Sequence, residues 1–187
     1  MLQAAGPLAE RSALFGEAVA LGIPAAPARL NLRAPAGSAS MAAAMQELGA
    51  PGWPLPANRW TALGPDRQLV WLGPDEALLL GSDPAIAAAR EQLSAVLGGT
   101  APCAITDVSD GAATIRLSGP RSADVLAKGC PLDLAVLPAG AAVQTLLGHL
   151  DILLLVLEPG RDYDIHVRSS LAAFAWDWLA DAAQEFL

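Results

Sequence analysis

The run Ile115-Arg116-Leu117-Ser118-Gly119-Pro120-Arg121-Ser122-Ala123-Asp124-Val125-Leu126-Ala127-Lys128-Gly129 decides the fold class, because two periodicities meet in it. Up to Ser118, apolar and polar residues alternate, the pattern of a strand with one buried face. Gly119-Pro120 breaks that pattern, and Pro120 sits where a first helical turn tolerates the missing N–H. A helix then runs to Lys128, with Gly129 placed as its C-cap. A strand that hands over to a helix through Gly-Pro speaks for mixed α and β structure.

Upstream of this run, Cys103–Ser109 and Ala112–Ser118 flank Asp110-Gly111, which predicts a two-residue hairpin between them. Downstream, after a loop over residues 131–140, strands are expected at 142–147, 152–157 and 163–168. Ser169 or Ser170 is then placed to cap a last helix in which Leu171, Phe174, Ala175, Trp178, Leu179 and Ala182 keep helical spacing.

The first half carries a related pattern. Arg29–Arg33 alternates, and Ser38 or Ser40 is placed to cap a helix to Leu48, stopped by Gly49 and Pro51. Trp53 lies in the Pro-rich loop 51–56. Strands at 59–63, 68–72 and 77–80 are separated by Gly64-Pro65-Asp66 and Gly73-Pro74-Asp75, both turn chemistry. After the potential cap Asp83 and then Pro84, the residues Ile86, Ala89, Arg90, Leu93, Val96 and Leu97 form a helical stripe that ends at Gly98-Gly99.

The expected class is therefore α+β, with two packed subdomains of short antiparallel or mixed sheets with helices, at 28–100 and 101–187. Both halves lead a strand into Gly-Pro, which suggests a duplication. Residues 1–27 lack periodicity and read as an extended or partly helical arm, punctuated by Gly22, Pro24 and Pro27 and free to lie on another chain.

Composition narrows the function. The 187 residues suffice to bury roughly 70% of the unfolded surface without a metal or disulfide staple. A net charge of −8, with no Lys/Arg cluster, argues against nucleic acid as a partner. Cys103 and Cys130 form neither a disulfide framework nor a metal set and read as reduced thiols. The start, with Glu10, Arg11 and Glu17, is not a signal peptide, and the apolar run Ile152–Leu157 is too short to span a bilayer. A soluble cytoplasmic protein is expected. Apolar residues at 53% against 16% charged fit either a compositional bias toward Ala, Gly, Pro, Leu and Arg or a surface covered by a partner.

Catalytic signals are thin. Leu117-Ser118-Gly119-Pro120 lacks the further glycines of a dinucleotide or phosphate loop. Asp107, Asp110 and Asp151 stand near strand ends, where acid and base groups often sit, but no second group converges on any of them. Asp110 reads as a turn former, and Asp107 points outward or pairs with Arg116 across the expected hairpin. His149 and His166 have no metal-ligand spacing. No catalytic, metal or cofactor residue is therefore expected in the chain. The last helix is the exception to this blandness. With Trp176, Phe186, Ala172, Ala173, Ala180 and Ala183 it is apolar nearly all round, so both sides require cover. A second layer of its own fold supplies that, or a partner subunit does, with Trp176 and Phe186 as interface anchors.

Several strings resemble the gamma subunit family of heterotetrameric sarcosine oxidase. They are Trp71-Leu72-Gly73-Pro74-Asp75-Glu76, Asp107-Val108-Ser109-Asp110-Gly111, and Ile115 to Arg121 continuing through Asp124 to Leu134 with Lys128-Gly129-Cys130-Pro131-Leu132-Asp133-Leu134. Gln144-Thr145-Leu146-Leu147, Val167-Arg168-Ser169-Ser170 and Trp176-Asp177-Trp178-Leu179 follow in order. More distantly the chain is similar to the folate-binding domain of the glycine-cleavage aminomethyltransferase, which implies that fold. Two departures are visible. Ala77 stands where the family usually places Trp, and Gly148-His149-Leu150-Asp151 keeps at most one of the paired acids that bind folate, leaving Asp151 as the single residual folate contact.

The resemblance implies a non-catalytic gamma subunit that acts as a structural partner of an alpha subunit, with beta and delta subunits in the complex. It implies that FAD, FMN, NAD, tetrahydrofolate and zinc belong to the other subunits. The complex would demethylate sarcosine oxidatively to glycine, pass the methylene carbon to tetrahydrofolate and release hydrogen peroxide. The alternative is a stand-alone folate-binding, aminomethyltransferase-like protein that uses Asp151.

Overall fold

The computed structural model describes residues 6–98 and 102–187. In chain order the strands and helices are β1 (Leu14–Phe15), β2 (Ala20–Gly22), β3 (Ala28–Arg33), α1 (Ala39–Glu47), β4 (Trp60–Ala62), β5 (Arg67–Gly73), β6 (Glu76–Gly81) and α2 (Asp83–Leu97). They continue with β7 (Ala104–Asp107), β8 (Ala112–Ser118), α3 (Ser122–Ala127), β9 (Ala142–Leu147), β10 (Leu150–Glu158), β11 (Asp162–Arg168) and α4 (Ala172–Ala183). The chain is α+β, as the alternating and helical stretches require. Of the expected stop Gly98-Gly99, Gly98 is the C-cap of α2, whereas Gly99 lies outside the described residues.

Two compact units form. One is Pro27–Ser109; the other joins the residues up to Ala26 to Asp110–Leu187. The first holds a five-stranded antiparallel sheet in the order β4-β5-β6-β3-β7, and the second a six-stranded antiparallel sheet in the order β1-β2-β8-β11-β10-β9. The duplication is legible in this topology. Each unit runs strand, helix, three strands, helix, and in each sheet the opening strand lies beside the last of the three. The segment leading into each repeat then pairs with the other repeat's opening strand, β2 with β8 and β7 with β3.

That exchange corrects two expectations. Asp110-Gly111 does not close a hairpin. β7 pairs with β3, with Leu30 opposite Asp107 and Leu32 opposite Ile105, while residues 109–111 form a 3-10 turn into β8. The unit boundary therefore falls at Ser109 rather than at residue 100. Likewise the arm is no free extension, because β2 extends the six-stranded sheet with Leu21 opposite Leu117. Local turn propensity lost to the long-range pairing available at each sheet edge.

In the 27–109 unit, Leu30, Leu32, Leu69 and Leu79 meet Met41, Met45 and Leu48 from the first helical stretch and Ile86, Ala89, Leu93 and Leu97 from α2. Spacings of three and four residues put those side chains on one stripe of each helix. Ser38 caps α1, its hydroxyl accepting from the Met41 N–H at 3.2 Å. For α2 the cap position is Ser82, one residue before the expected Asp83, and no side chain caps it. Ala77 is fully buried in this core.

The second core gathers Leu21, Ile115, Leu117, Leu154, Val156, Tyr163, Ile165 and Val167 from the sheet. Val125 and Leu126 of α3 and Ala172, Ala175, Trp176, Leu179, Ala182 and Ala183 of α4 complete it. Gly129 is needed for room rather than for a left-handed turn. A Cβ there would lie 2.6 Å from the Trp178 ring and 2.9 Å from the Gly148 nitrogen.

Candidate functional site

Alternation in β8 and β11 sends Ile115, Leu117, Tyr163, Ile165 and Val167 into the core and Thr114, Arg116, Asp162, Asp164 and His166 to the face away from the helices. Antiparallel register then sets Arg116 opposite Asp164 and Thr114 opposite His166. The Arg116 guanidinium donates to both carboxylate oxygens of Asp164, at 2.5 Å from Nε and 2.9 Å from Nη2. The Thr114 hydroxyl lies 3.1 Å from His166 Nδ1. Thr114, Asp164 and His166 are each only 6% exposed. Arg116 and Asp164 thus engage each other across the two strands, as do the Thr114 hydroxyl and His166 Nδ1.

Asp162 lies beside these pairs on the same face. Its Oδ1 is buried without a hydrogen-bond partner among the described residues and stands 3.7 Å from Arg116 Nε. Desolvation pushes its carboxyl above the usual range; Arg116 opposes the shift, and the charges of Asp164 and Glu158 add to it. A carboxyl whose folded pKa exceeds its unfolded value binds protons more readily when folded, so its penalty is absent below the ordinary carboxylate pKa and complete above the raised one. Asp162→Asn is accordingly expected to raise the urea midpoint at neutral pH and to flatten the loss of stability as pH rises through that window. A variant less stable than wild type at neutral pH would contradict this account.

The residues singled out in the sequence do not converge. Asp107 belongs to the other unit, at the end of β7, where it accepts from Ser109 N at 3.0 Å and Ser109 Oγ at 2.7 Å. Those bonds hold its carboxyl below the usual range. It does not pair with Arg116, because β7 and β8 occupy different sheets. Asp110 sits in the 3-10 turn and offers its backbone oxygen to Ser169 Oγ at 2.6 Å. His149 is exposed in the tight turn between β9 and β10, whose other residue, Gly148, has φ +60°. Asp151 is exposed on β10 with Leu146 opposite it on β9, and its side chain makes no hydrogen bond or ion pair among the described residues. Its cross-strand neighbour is thus apolar rather than a second acid.

The aromatic expectation also changes. Trp176 is only 3% exposed and belongs to its own unit's core, so it is no interface anchor. The buried stripe of α4 runs through Ala172, Ala175, Trp176, Leu179, Ala182 and Ala183, a set offset from the one expected, and Phe174 is left 59% exposed. α4 lies across β8 and β11 and beside α3, which covers it within its own fold. Phe186 is half-buried, with the Arg121 guanidinium 4.5 Å and the Lys128 ammonium 5.0 Å from its ring centroid. Lys128 also donates to Ala182 O at 2.5 Å and pairs with Glu185.

Two features were missed at the sequence level. The period-two polar pattern Asp162, Asp164, His166 was there to be read as one sheet face. Arg29, only 2% exposed, donates from Nη1 to Pro27 O at 3.2 Å and Ser109 O at 3.0 Å and so ties together the two ends of its unit. Burial lowers its pKa. Nothing in the local sequence marks it as a buried cation.

Among the described residues no group of three His, Cys, Asp or Glu is placed to hold a metal ion, and no helix is long and apolar enough to cross a membrane. Residues 33–185 match the profile of a family described as sarcosine oxidase, gamma subunit. The sarcosine oxidase subunit gamma of Corynebacterium sp. (strain P-1) is 33% identical over 160 residues, covering 84% of this chain and 76% of that protein. The subunit gamma of an Arthrobacter species gives the same identity and the same coverage. Among solved structures, a chain of the heterotetrameric sarcosine oxidase from Corynebacterium sp. U-96 matches with a TM-score of 0.85 and 31% identity, covering 97% of this chain and 95% of that one. Aminomethyltransferase T of the glycine cleavage system from Bartonella henselae matches with a TM-score of 0.61, covering 85% of this chain and 44% of that one. At 16% identity that second likeness shows the fold alone.

Proposed function

The chain belongs to the sarcosine oxidase gamma subunit family, and from that membership we propose that it is a non-catalytic structural subunit of a heterotetrameric sarcosine oxidase, docked on the alpha subunit. In this reading the beta and delta subunits complete a cytoplasmic complex, and FAD, FMN, NAD, tetrahydrofolate and zinc are held by the other chains. The complex removes the methyl group of sarcosine oxidatively, yielding glycine and hydrogen peroxide and passing the one-carbon unit to tetrahydrofolate.

The observation that carries the proposal is the likeness to a chain of the heterotetrameric enzyme, which runs nearly end to end in both proteins. The state of the polar cluster supports the non-catalytic part. A general acid or base needs a proton-transferring group within reach of substrate, whereas Asp164 is held by both nitrogens of a bidentate Arg116 pair across adjacent strands. A stand-alone folate protein is the weaker reading, since Asp151 has an apolar cross-strand neighbour and the likeness to aminomethyltransferase spans under half of that enzyme.

Co-expression of this chain with the other three subunits is expected to give one complex containing all four, detected by affinity purification and native mass spectrometry. Substitution of Asp151 by Asn should leave the activity of that complex unchanged. Failure to co-purify with all three partners present would refute the subunit reading, and saturable tetrahydrofolate binding by the isolated chain, lost in Asp151→Asn, would favour the other.

A further inference from the structure

Resting on the subunit reading above, we propose that the β1–β2 hairpin docks on another subunit of the oxidase complex, with Phe15 as its anchor in an apolar recess bordered by basic side chains. Phe15 is 82% exposed, the most exposed of the large apolar side chains among the described residues. Alternation along β1 explains this, since Leu14 packs against the core beneath the sheet while Phe15 projects from the opposite face.

The ring is carried on a fixed mount. β2 pairs with β8 over Ala20 to Gly22, and the turn is closed by Gly16 N donating to Val19 O at 2.9 Å. Gly16 abuts the backbone of Leu187 so closely that a Cβ would lie 2.6 Å from its Cα. On the other flank, Arg121 N donates to Ala18 O at 3.1 Å. An aromatic anchor whose backbone is already ordered loses little conformational freedom on binding, and such anchors dominate interface energetics.

Charge fixes the character of the recess. Glu10 and Glu17 are exposed and make no ion pair among the described residues, while the arm's one cation, Arg11, is bound to Asp177 at 2.7 Å. The free charge of the arm that carries Phe15 is thus acidic, which a basic rim complements. The likeness to the heterotetramer chain leaves out only about six residues of this one, so most of the arm has a counterpart there. Yet the family profile begins at residue 33, beyond the hairpin. A segment that lies outside the shared sequence pattern suits a contact matched to its own partner.

The test uses the full chain titrated against the complex of the other three subunits, with assembly followed by native mass spectrometry and calorimetry. Phe15→Ala is expected to weaken association by about 30-fold or more, the effect of truncating an interface hot spot. The melting temperature of the isolated chain should stay unchanged because the ring makes little contact within it. Phe174→Ala, which removes an exposed aromatic ring from α4, should assemble like wild type. Wild-type assembly together with undiminished assembly of Phe15→Ala would overturn the proposal alone. Loss of assembly confined to Phe174→Ala would move the docking face to the helix and overturn it as well. A wild-type dimer abolished by Phe15→Ala would make a second copy the occupant, against the proposal. Failure of the wild type itself to assemble would take down the subunit reading, and the hairpin with it.

Discussion

Replacing Trp176 by Ala is expected to destabilise the chain by about 3–5 kcal/mol, the range for emptying a buried indole site. The side chain is 3% exposed, in a core that also holds Ala175, Leu179 and Ala183. Most of its buried neighbours on the helix are alanines, too small to close over the space, so the variant loses both the transfer free energy of the ring and the contacts around the void. Against a total stability of about 5–15 kcal/mol for a typical domain, that is a third or more of the whole. Urea denaturation followed by far-UV circular dichroism reads it. The exposed Phe174 is the control, because Phe174→Ala should shift stability by no more than about 0.5 kcal/mol. Similar losses at the two positions would mean that α4 presents a different face to its sheet.

Gly119→Ala is the second large effect, with an expected loss of about 2–4 kcal/mol. The residue has φ +117°, a conformation that L side chains rarely adopt, and the strain of holding one there is on the order of 1–3 kcal/mol. Space adds to strain. A Cβ would collide with the carbonyl oxygen of Ala18 and lie 3.0 Å from Val19 Cα, and overpacking against fixed backbone costs about 1–3 kcal/mol. The same turn anchors the arm, since Arg121 N, two residues on, donates to Ala18 O at 3.1 Å. The variant should therefore loosen the β1–β2 hairpin first, seen as faster protease cleavage between residues 10 and 20 while the rest of the unit resists. Gly111→Ala, where a Cβ meets nothing within 4 Å, should be close to neutral. Equal effects at both glycines would show that the arm does not rest on the turn.

Gly119 also illustrates what can be read locally. The break between strand and helix at Gly119-Pro120 is visible in the sequence, because Gly and Pro interrupt one periodicity before the next begins. That the glycine is demanded by Ala18, a residue of the arm, is not visible. Gly129 teaches the same lesson, being legible as helix punctuation but required by the ring of Trp178. The polar cluster was half legible. The period-two placement of Arg116, Asp164 and His166 follows from the sequence, but their pairing needed the register of β8 against β11.

The sequence by itself determined most of the elements, namely where strands alternate and where helices lie, and it suggested that two similar halves follow one another. Those features arise from steric and hydrophobic periods acting over a few residues. Tertiary structure alone decided the partners. β7 left the hairpin that Asp110-Gly111 advertised because the free edge of β3 offered it a ladder, and β2 took the corresponding place beside β8. In α4, apolar nearly all round, helical spacing favoured a stripe through Phe174. The sheet beneath it chose, burying the stripe through Trp176 and leaving Phe174 outside.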